Sequence, residues 1–593
     1  MANKRFIPNK AVYWKKPQPF PPCVIFFEPV ITWEEHSEIK WTMSARSWLY
    51  AIVRDSNTDD ADMDECWTNE ECLDVVEQCL LDDDKVVLVM HGVQNCIHLM
   101  EFSEYFRGAG FTAECYFVGR ERAFVEVVRG KQKVVVCDIR NWIPGEPQDI
   151  GDWAGQHVDV HPRWWPDEDE FGGYHAQVMF ALVAGWGKYI QWNRENDLGG
   201  FCYSMSSLAY AWWTRSKGAE HSRHPRNKQT ADMEKAAFYG GFCYVHSSGY
   251  HNGDGYYLLD CNGLYGSVIR DSMLPFRHVT TRRVVKPTDL DNALKRGGVI
   301  ARGLFSLDQG YLPVRGIRSI EWQQKEVECW LPQPELLWVM EHGKIHRLDT
   351  LIVYDMKQLG KDIGEYALQQ RFIAKEQGKK YESKLWKLFI TNFFGKLAQR
   401  FGTIHVFPAD PEEPDHFEQF ISATTGKIYS VCVFCGTKIV SIDDGESTTY
   451  IPSISAFITS YGRRRLWELC TMAGWHNVFY NDTDSLIVNR AGYRKLKHLI
   501  SDNVPGLISL DEKGDTLEIL GKKQYRIGSV NKDNTHPSHY QPSADGTITW
   551  IEKESQRLLD KESAGSITVR RAWAKAWDQR LADLREIHSD IPF

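Results

Sequence analysis

Tyr480-Asn481-Asp482-Thr483-Asp484-Ser485-Leu486-Ile487-Val488 is the stretch from which the fold can be worked out. Apolar residues flank a short polar turn that holds two carboxylates, which is the pattern of a hairpin with its bend at 482–485. Residues i and i+2 project to the same side of a strand. Asp482 and Asp484 are therefore set to reach a common cation region. An Asp-x-Asp turn is common on protein surfaces, so the reading needs further pieces.

Two more stretches supply them. In Tyr256-Tyr257-Leu258-Leu259-Asp260-Cys261-Asn262-Gly263-Leu264-Tyr265-Gly266-Ser267 an apolar strand ends on a carboxylate, and a glycine turn opens a helix. That puts Asp260 at a sheet end, beside backbone N–H groups able to bind anions. Lys384-Leu385-Trp386-Lys387-Leu388-Phe389-Ile390-Thr391-Asn392-Phe393-Phe394-Gly395-Lys396 reads as a helix, preceded by Arg371, Lys375, Lys379 and Lys380. Lys387 and Phe394, seven apart, share a face. Cations and an aromatic ring on one face suit a nucleotide, with phosphates on the lysines and the base against the ring. A capped strand-to-helix turn and a solvated basic helix are the bland readings of these two stretches.

In this order the three pieces resemble motifs A, B and C of the family-B DNA polymerases, which read D-x-x-S-L-Y-P-S, K-x-x-x-N-S-x-Y-G and Y-x-D-T-D-S. The resemblance is to the protein-primed branch of phages, adenoviruses and linear plasmids. Phe238-Tyr239-Gly240-Gly241 resembles its Y-x-G-G link, Thr459-Ser460-Tyr461-Gly462-Arg463 its T-x-x-[GA]-R motif, and Lys523-Gln524-Tyr525 its K-x-Y motif. Residues 236–525 carry the likeness. It implies an α+β right-hand polymerase of palm, fingers and thumb, with an N-terminal RNase H-like exonuclease-type α/β domain. The implied division is 1–185 exonuclease-like, 186–235 helical connector, 236–271 palm, 272–350 insertion for a terminal protein or duplex, 351–401 fingers, 402–450 insertion of the strand-displacement type, 451–525 palm, and 526–593 thumb.

The resemblance also implies roles. Nucleotidyl transfer uses two divalent cations, and Mg²⁺ (or Mn²⁺ in its place) takes hard oxygen ligands. Asp260 and Asp484 would hold the two ions, with Asp482 as an auxiliary ligand and the Cys261 carbonyl as a further one. Lys387 would hold the incoming triphosphate. Leu264, Tyr265, Asn392 and Phe394 would form the nucleotide pocket, with Tyr265 excluding a 2′-OH. Arg463, Lys523, Tyr525, Tyr239, Gly240 and Gly241 would contact DNA. The implied partners are template and primer, dNTPs and a terminal protein, bound by a monomer. Departures from the motifs are Gly263 and Gly266 for Ser and Pro, Thr391 for Asn, Asn392 for Ser, and Phe394 for Tyr. They line the base-pair pocket and leave the acidic positions intact.

The N-terminal region breaks the pattern. The exonuclease motif D-x-E falls on Phe26-Phe27-Glu28. The motif N-x-x-x-[FY]-D places Gly92 and Cys96 at its Asn and Asp, and Y-x-x-x-D places Tyr174 and Val178. A two-metal site cannot be assembled from Glu28 alone, so no proofreading is expected. The other alignment open to the sequence draws on Asp138 and the acids of 55–84.

Composition sets outer bounds. The chain has 593 residues, 43% of them hydrophobic and 25% charged, the balance of a folded multidomain protein. The net charge of −9 is misleading: Asp55–Asp84 carries thirteen acids and no base, and the rest holds four more basic than acidic residues. A basic channel is therefore compatible with the composition. No apolar run approaches a bilayer span and no secretory leader is read at the start. The expected location is the host cytoplasm or a replication site. Fourteen scattered Cys read as reduced thiols, and Cys432-Val433-Phe434-Cys435 as a buried strand in place of half a zinc ribbon. Two other readings stay open: a non-catalytic nucleic-acid-binding relative, and a polymerase that needs no primer or copies RNA.

Overall fold

The hairpin at 480–488 is present in the computed structural model, as strand Val478–Asp482 antiparallel to Ser485–Asn489. The structure describes residues 18–37, 40–118, 123–159, 168–216, 228–283, 285–316, 320–399, 403–410, 412–413, 415–421, 428–442, 450–533, 539–542 and 548–551. Two units divide the chain. One comprises 1–16, 206–399 and 447–535, and the other 17–205, 400–446 and 536–593.

The first unit is built on a seven-stranded sheet. Its order is Val530–Asp533, Gln524–Ile527, Ile508–Gly521, Gly249–Cys261, Ser485–Asn489, Val478–Asp482 and Cys243–Val245. The strand ending in Asp260 thus lies beside the strand that leaves the Asp482–Asp484 turn, with Ser485 opposite Asp260. Helix Pro452–Ala473 carries Pro in its first turn, where a missing N–H costs nothing, and ends at Gly474. Helices Lys361–Glu376 and Lys380–Leu397 form a hairpin whose Lys375, Lys380, Lys384 and Lys387 are exposed, while Arg371 is half-buried. Residues 272–350 make their own four-stranded sheet, ordered Leu274–Arg283, Gly343–Lys357, Gly298–Leu307, Val327–Pro332, with helix Gln333–His342.

The second unit holds a mixed sheet. Strand Cys23–Ser37 pairs antiparallel with Lys40–Arg54 and parallel with Lys85–Met90, which is parallel in turn to Gln132–Asp138. The runs Lys-Val-Val-Leu-Val-Met and Gln-Lys-Val-Val-Val-Cys-Asp are buried on both faces, as parallel strands require. Helix Asn69–Asp82 starts where Thr68 Oγ1 accepts from Glu71 N–H at 3.2 Å. The acids of strand Asn57–Cys66 are exposed or half-exposed, a solvated face.

Residues 403–442 belong to this unit too. Phe434 packs on Phe102 and Tyr116, and Cys435 N–H donates to Ser103 Oγ at 2.7 Å. Cys432 lies in strand Ile428–Phe434, as read. The segment from 526, expected as a thumb, is divided between the two units. Val530–Asp533 continues the first unit's sheet, and Ile548–Ile551 pairs with Lys40–Arg54 in the second unit. Val530–Asp533 is the edge strand of its sheet, whereas Ile548–Ile551 lies between Lys40–Arg54 and the edge strand His539–Pro542. Residues 552–593 of the expected thumb lie outside the described residues.

Candidate active site

Asp260 and Asp484 come together because the turn holding Asp484 leads into Ser485–Asn489, the strand paired with that of Asp260. Cys261 N–H donates to the Asp484 carbonyl at 2.8 Å, fastening the two motifs by backbone. Burial pushes the Asp260 carboxyl up to about 7, and the adjacent Asp484 and then Asp511 add to the rise, while Lys387 and Arg371 pull it back. Asp484 is raised by burial as well, with Lys387 pulling it down and Asp482 pushing it up. Burial lowers Arg371, and the two aspartates oppose that. Two mutually repelling carboxylates at a sheet end, faced by two cations, are a site short of local positive charge. Hard oxygen donors of this kind fit a divalent cation that keeps several waters. Among the described residues no cluster of three or more His, Cys, Asp or Glu forms a fuller cage.

Asp482 behaves differently. Lys523 Nζ reaches its two oxygens at 2.9 and 3.2 Å, and Lys532 Nζ reaches one at 3.2 Å. Burial would raise this carboxyl, but the two ammonium groups hold it below the ordinary value. Asp482, expected as an auxiliary metal ligand, is here the anchor of two lysines.

The nucleotide-pocket candidates gather around motif A. Tyr265 packs against Phe394 with ring centroids 5.0 Å apart. Lys387 is exposed on the same helix as Phe394, and Asn392 is half-buried on it. Leu264 is 2% exposed, so its side chain is core, leaving Tyr265 and Phe394 as the aromatic floor. Gly266 stands where the motif has Pro because Leu368 of the helical hairpin leaves no room. A Cβ there would lie 2.7 Å from Leu368 Cδ2.

Three DNA-contact candidates are turned inward. Arg463 is fully buried: Nε and Nη2 donate to Glu335 at 2.8 and 2.6 Å, and Nη1 donates to the carbonyls of Tyr239 and Gly240 at 2.9 and 2.7 Å. With its donors spent inside the fold, it is not a phosphate contact. Tyr239 is 3% exposed, its ring beside the guanidiniums of Arg463 and Arg315. Tyr525 is core as well, packed on Tyr480. Gly240 is exposed, Gly241 half-buried, and Lys523 half-exposed. A heavily buried Arg is rare unless paired, and no spacing rule pointed to Glu335 as its partner. Asp511 and Lys532 also escaped the sequence, since neither lies within the motif it serves, and Arg371 was read only as one of the cations preceding the Lys387 helix.

The second unit holds the residues expected at the exonuclease positions. Ile31 N–H donates to His175 Nε2 at 3.3 Å, so His175 carries its proton on Nδ1 and donates it to Glu28 at 2.9 Å. The retained acid is thus held by a buried imidazole. Phe26 is fully buried against Trp186, Val178 is core, and Tyr174 is 6% exposed. The Cys96 thiol, pushed well up by burial, donates to the His91 carbonyl. Asp138 is no substitute ligand: it accepts from Gly92 and Val93 N–H at 3.1 and 3.2 Å and pairs with Arg140 at 2.7 Å.

Residues 197–471 match the family model described as DNA polymerase type B, organellar and viral. The fold is similar to that of Phi29 DNA polymerase in several states. The ternary complex with primer-template DNA and incoming nucleotide matches with TM-score 0.60 at 15% identity, covering 85% of this chain and 87% of that one. The complex with single-stranded DNA gives TM-score 0.61 at 16% identity, with the same coverage. The orthorhombic crystal form gives TM-score 0.61 at 14% identity, covering 90% of each chain. No curated protein matches the sequence. No helix among the described residues is long and apolar enough to cross a membrane. Over residues 197–471 the chain is thus similar to the organellar and viral type B DNA polymerases, and the fold as a whole is like that of Phi29 DNA polymerase.

Proposed function

We propose that the chain extends a 3′-OH by template-directed dNMP addition with two divalent metal ions, that it is primed by a terminal protein on a linear viral or plasmid genome, and that it lacks 3′–5′ proofreading. The observation that carries the reading is the pair of Asp260, at the end of one strand, and Asp484, in the turn that enters the neighbouring strand, faced by Lys387 and Arg371.

Magnesium held by Asp260 and Asp484 would supply Lewis acidity and charge neutralisation at the reacting phosphate. The chain's own side chains do the remaining work. Lys387 offsets the triphosphate's growing charge. Tyr265 stacks beneath the sugar and leaves no room for a 2′-OH, and Phe394 packs against the base. Lys523, oriented by Asp482, meets the primer strand. The sheet of residues 272–350 offers the terminal protein a surface of its own.

The intact carboxylate pair speaks against a binding protein without catalysis. The Glu28–His175 bond speaks against a working exonuclease, because the remaining acid is already committed. The test is extension of a 5′-labelled primer with Mg²⁺ and dNTPs by wild type and Asp484→Ala, with a 3′-mismatched primer incubated without dNTPs. Extension by wild type alone, with the mismatched primer intact, supports the reading. Shortening of the mismatched primer would sink the claim about proofreading. Extension of a free primer as efficient as initiation on a terminal protein would remove the need for protein priming.

A further inference from the structure

We infer that Glu335, in the 272–350 insertion, is a positioning residue for the Asp482–Asp484 turn, acting through Arg463 and the backbone of 239–242. The inference rests on the proposed catalytic role of that turn.

The turn is strained. Thr483 has φ +64°, a left-handed conformation that a β-branched residue adopts only when its surroundings impose it. Asp484 N–H closes back on the Asp482 carbonyl at 2.7 Å. What imposes the shape is the chain of 241–242. Phe242 C=O accepts from Thr483 N–H at 2.8 Å. Gly241 lies so close that a Cβ there would sit 2.7 Å from Thr483 Cγ2 and 2.9 Å from its Cα. The next strand then pairs in register, Cys243 opposite Asp482.

That wall is fixed from behind by Arg463. Its Nη1 holds the carbonyls of Tyr239 and Gly240, the two residues before Gly241. Its other edge makes a bidentate pair with Glu335, and both side chains are fully buried. Such a pair has one low-energy geometry, because either partner displaced is a buried charge left alone. The sequence Glu335, Arg463, Tyr239–Gly240, Gly241–Phe242, Thr483 is continuous contact from the insertion's helix to the turn between the metal-site carboxylates.

The test is hydrogen–deuterium exchange of peptides spanning 479–488 in metal-free, DNA-free protein, comparing wild type with Glu335→Gln and Arg463→Lys. Exchange at the Thr483 amide is expected to rise about tenfold, from a weakened local protection. Dissociation constants for primer-template should stay unchanged, and kcat for extension should fall at unchanged dNTP KM. Adding Thr483→Gly to Glu335→Gln should recover part of kcat, since glycine adopts positive φ without strain. Unchanged exchange at 479–488 overturns the inference. Weaker DNA binding with normal exchange also overturns it, and makes the arginine's effect one of DNA contact. Should the buried-pair variants not fold, Gly241→Ala introduces no charge and tests the last link: faster exchange supports the inference and unchanged exchange overturns it. Because exchange is read without metal or substrate, its outcome is separate from whether wild type extends a primer.

Discussion

Lys523 closes on Asp482 at 2.9 Å, so the lysine of one motif neutralises the first acid of another. Lys532 adds a second ammonium from the neighbouring strand. Two cations on one carboxylate leave net positive charge beside the site, directed by a buried anchor. The two acids of the turn thus differ in their surroundings: Asp482 holds two lysines, while burial raises Asp484.

Removing Lys532 should therefore weaken primer binding more than it weakens the fold. Both lysines are partly solvated, so the stability cost of Lys532→Ala should be no more than about 0.5–1 kcal/mol. Asp482 has a depressed pKa in the fold, so its contribution is present above the unfolded-state value and is lost as pH falls through the folded one. Asp482→Asn should free both lysines, raise the primer KM and abolish that acid-range dependence. Titrating primer concentration in extension assays and melting each variant across pH checks this.

Asp260 has the opposite sign. Its folded pKa of about 7 lies above the ordinary carboxylate value, so the folded state binds its proton more tightly. Metal-free protein should be most stable near or below pH 4 with respect to this group, and should lose that stability as pH rises to 7. Asp260→Asn should then be more stable than wild type at pH 8 without metal, by on the order of 2–4 kcal/mol, and inactive. Thermal scans at pH 5 and 8, with and without Mg²⁺, decide it. A variant no more stable than wild type at pH 8 would contradict the assignment.

Restoring one exonuclease acid should not restore the activity. Phe26→Asp would bury a carboxylate against Trp186 in place of a ring, at a cost of about 3–5 kcal/mol. The expected outcome is a lower melting temperature and a mismatched 3′ end still intact under Mg²⁺. Degradation of that end by the single variant would show that Glu28 is more available than its bond to His175 implies.

Gly266 and Leu368 should be coupled. Gly266→Ala forces a Cβ against Leu368 and is expected to cost about 1–3 kcal/mol together with extension rate. Leu368→Ala in the same chain should return part of both, since neighbours in contact do not add. Additive losses in the double variant would show that the glycine is kept for some other reason.

Much of the site was legible because polymerase chemistry needs particular residue types at short spacing. Asp260 ends an apolar strand, Asp482 and Asp484 sit two apart in a turn, and Lys387 and Phe394 lie seven apart on a helix. Each of these is local, so the chain's periodicity displays it. The chemistry that Phe26 and Val178 lack could be read in the same way, since neither side chain can ligate a hard cation whatever surrounds it.

The pairings between distant residues were not legible. That Asp482 faces Lys523 and Lys532, that Asp511 adds to the rise in Asp260, and that Arg463 turns inward to Glu335 depend on strand order and helix packing. An arginine in a nucleic-acid enzyme reads as a phosphate contact until its burial is known, and burial is set by long-range packing. The sequence by itself determined which atoms could do chemistry. The tertiary structure decided which of those atoms face one another, because electrostatic partnership depends on distance and desolvation, and neither is a property of a segment taken alone.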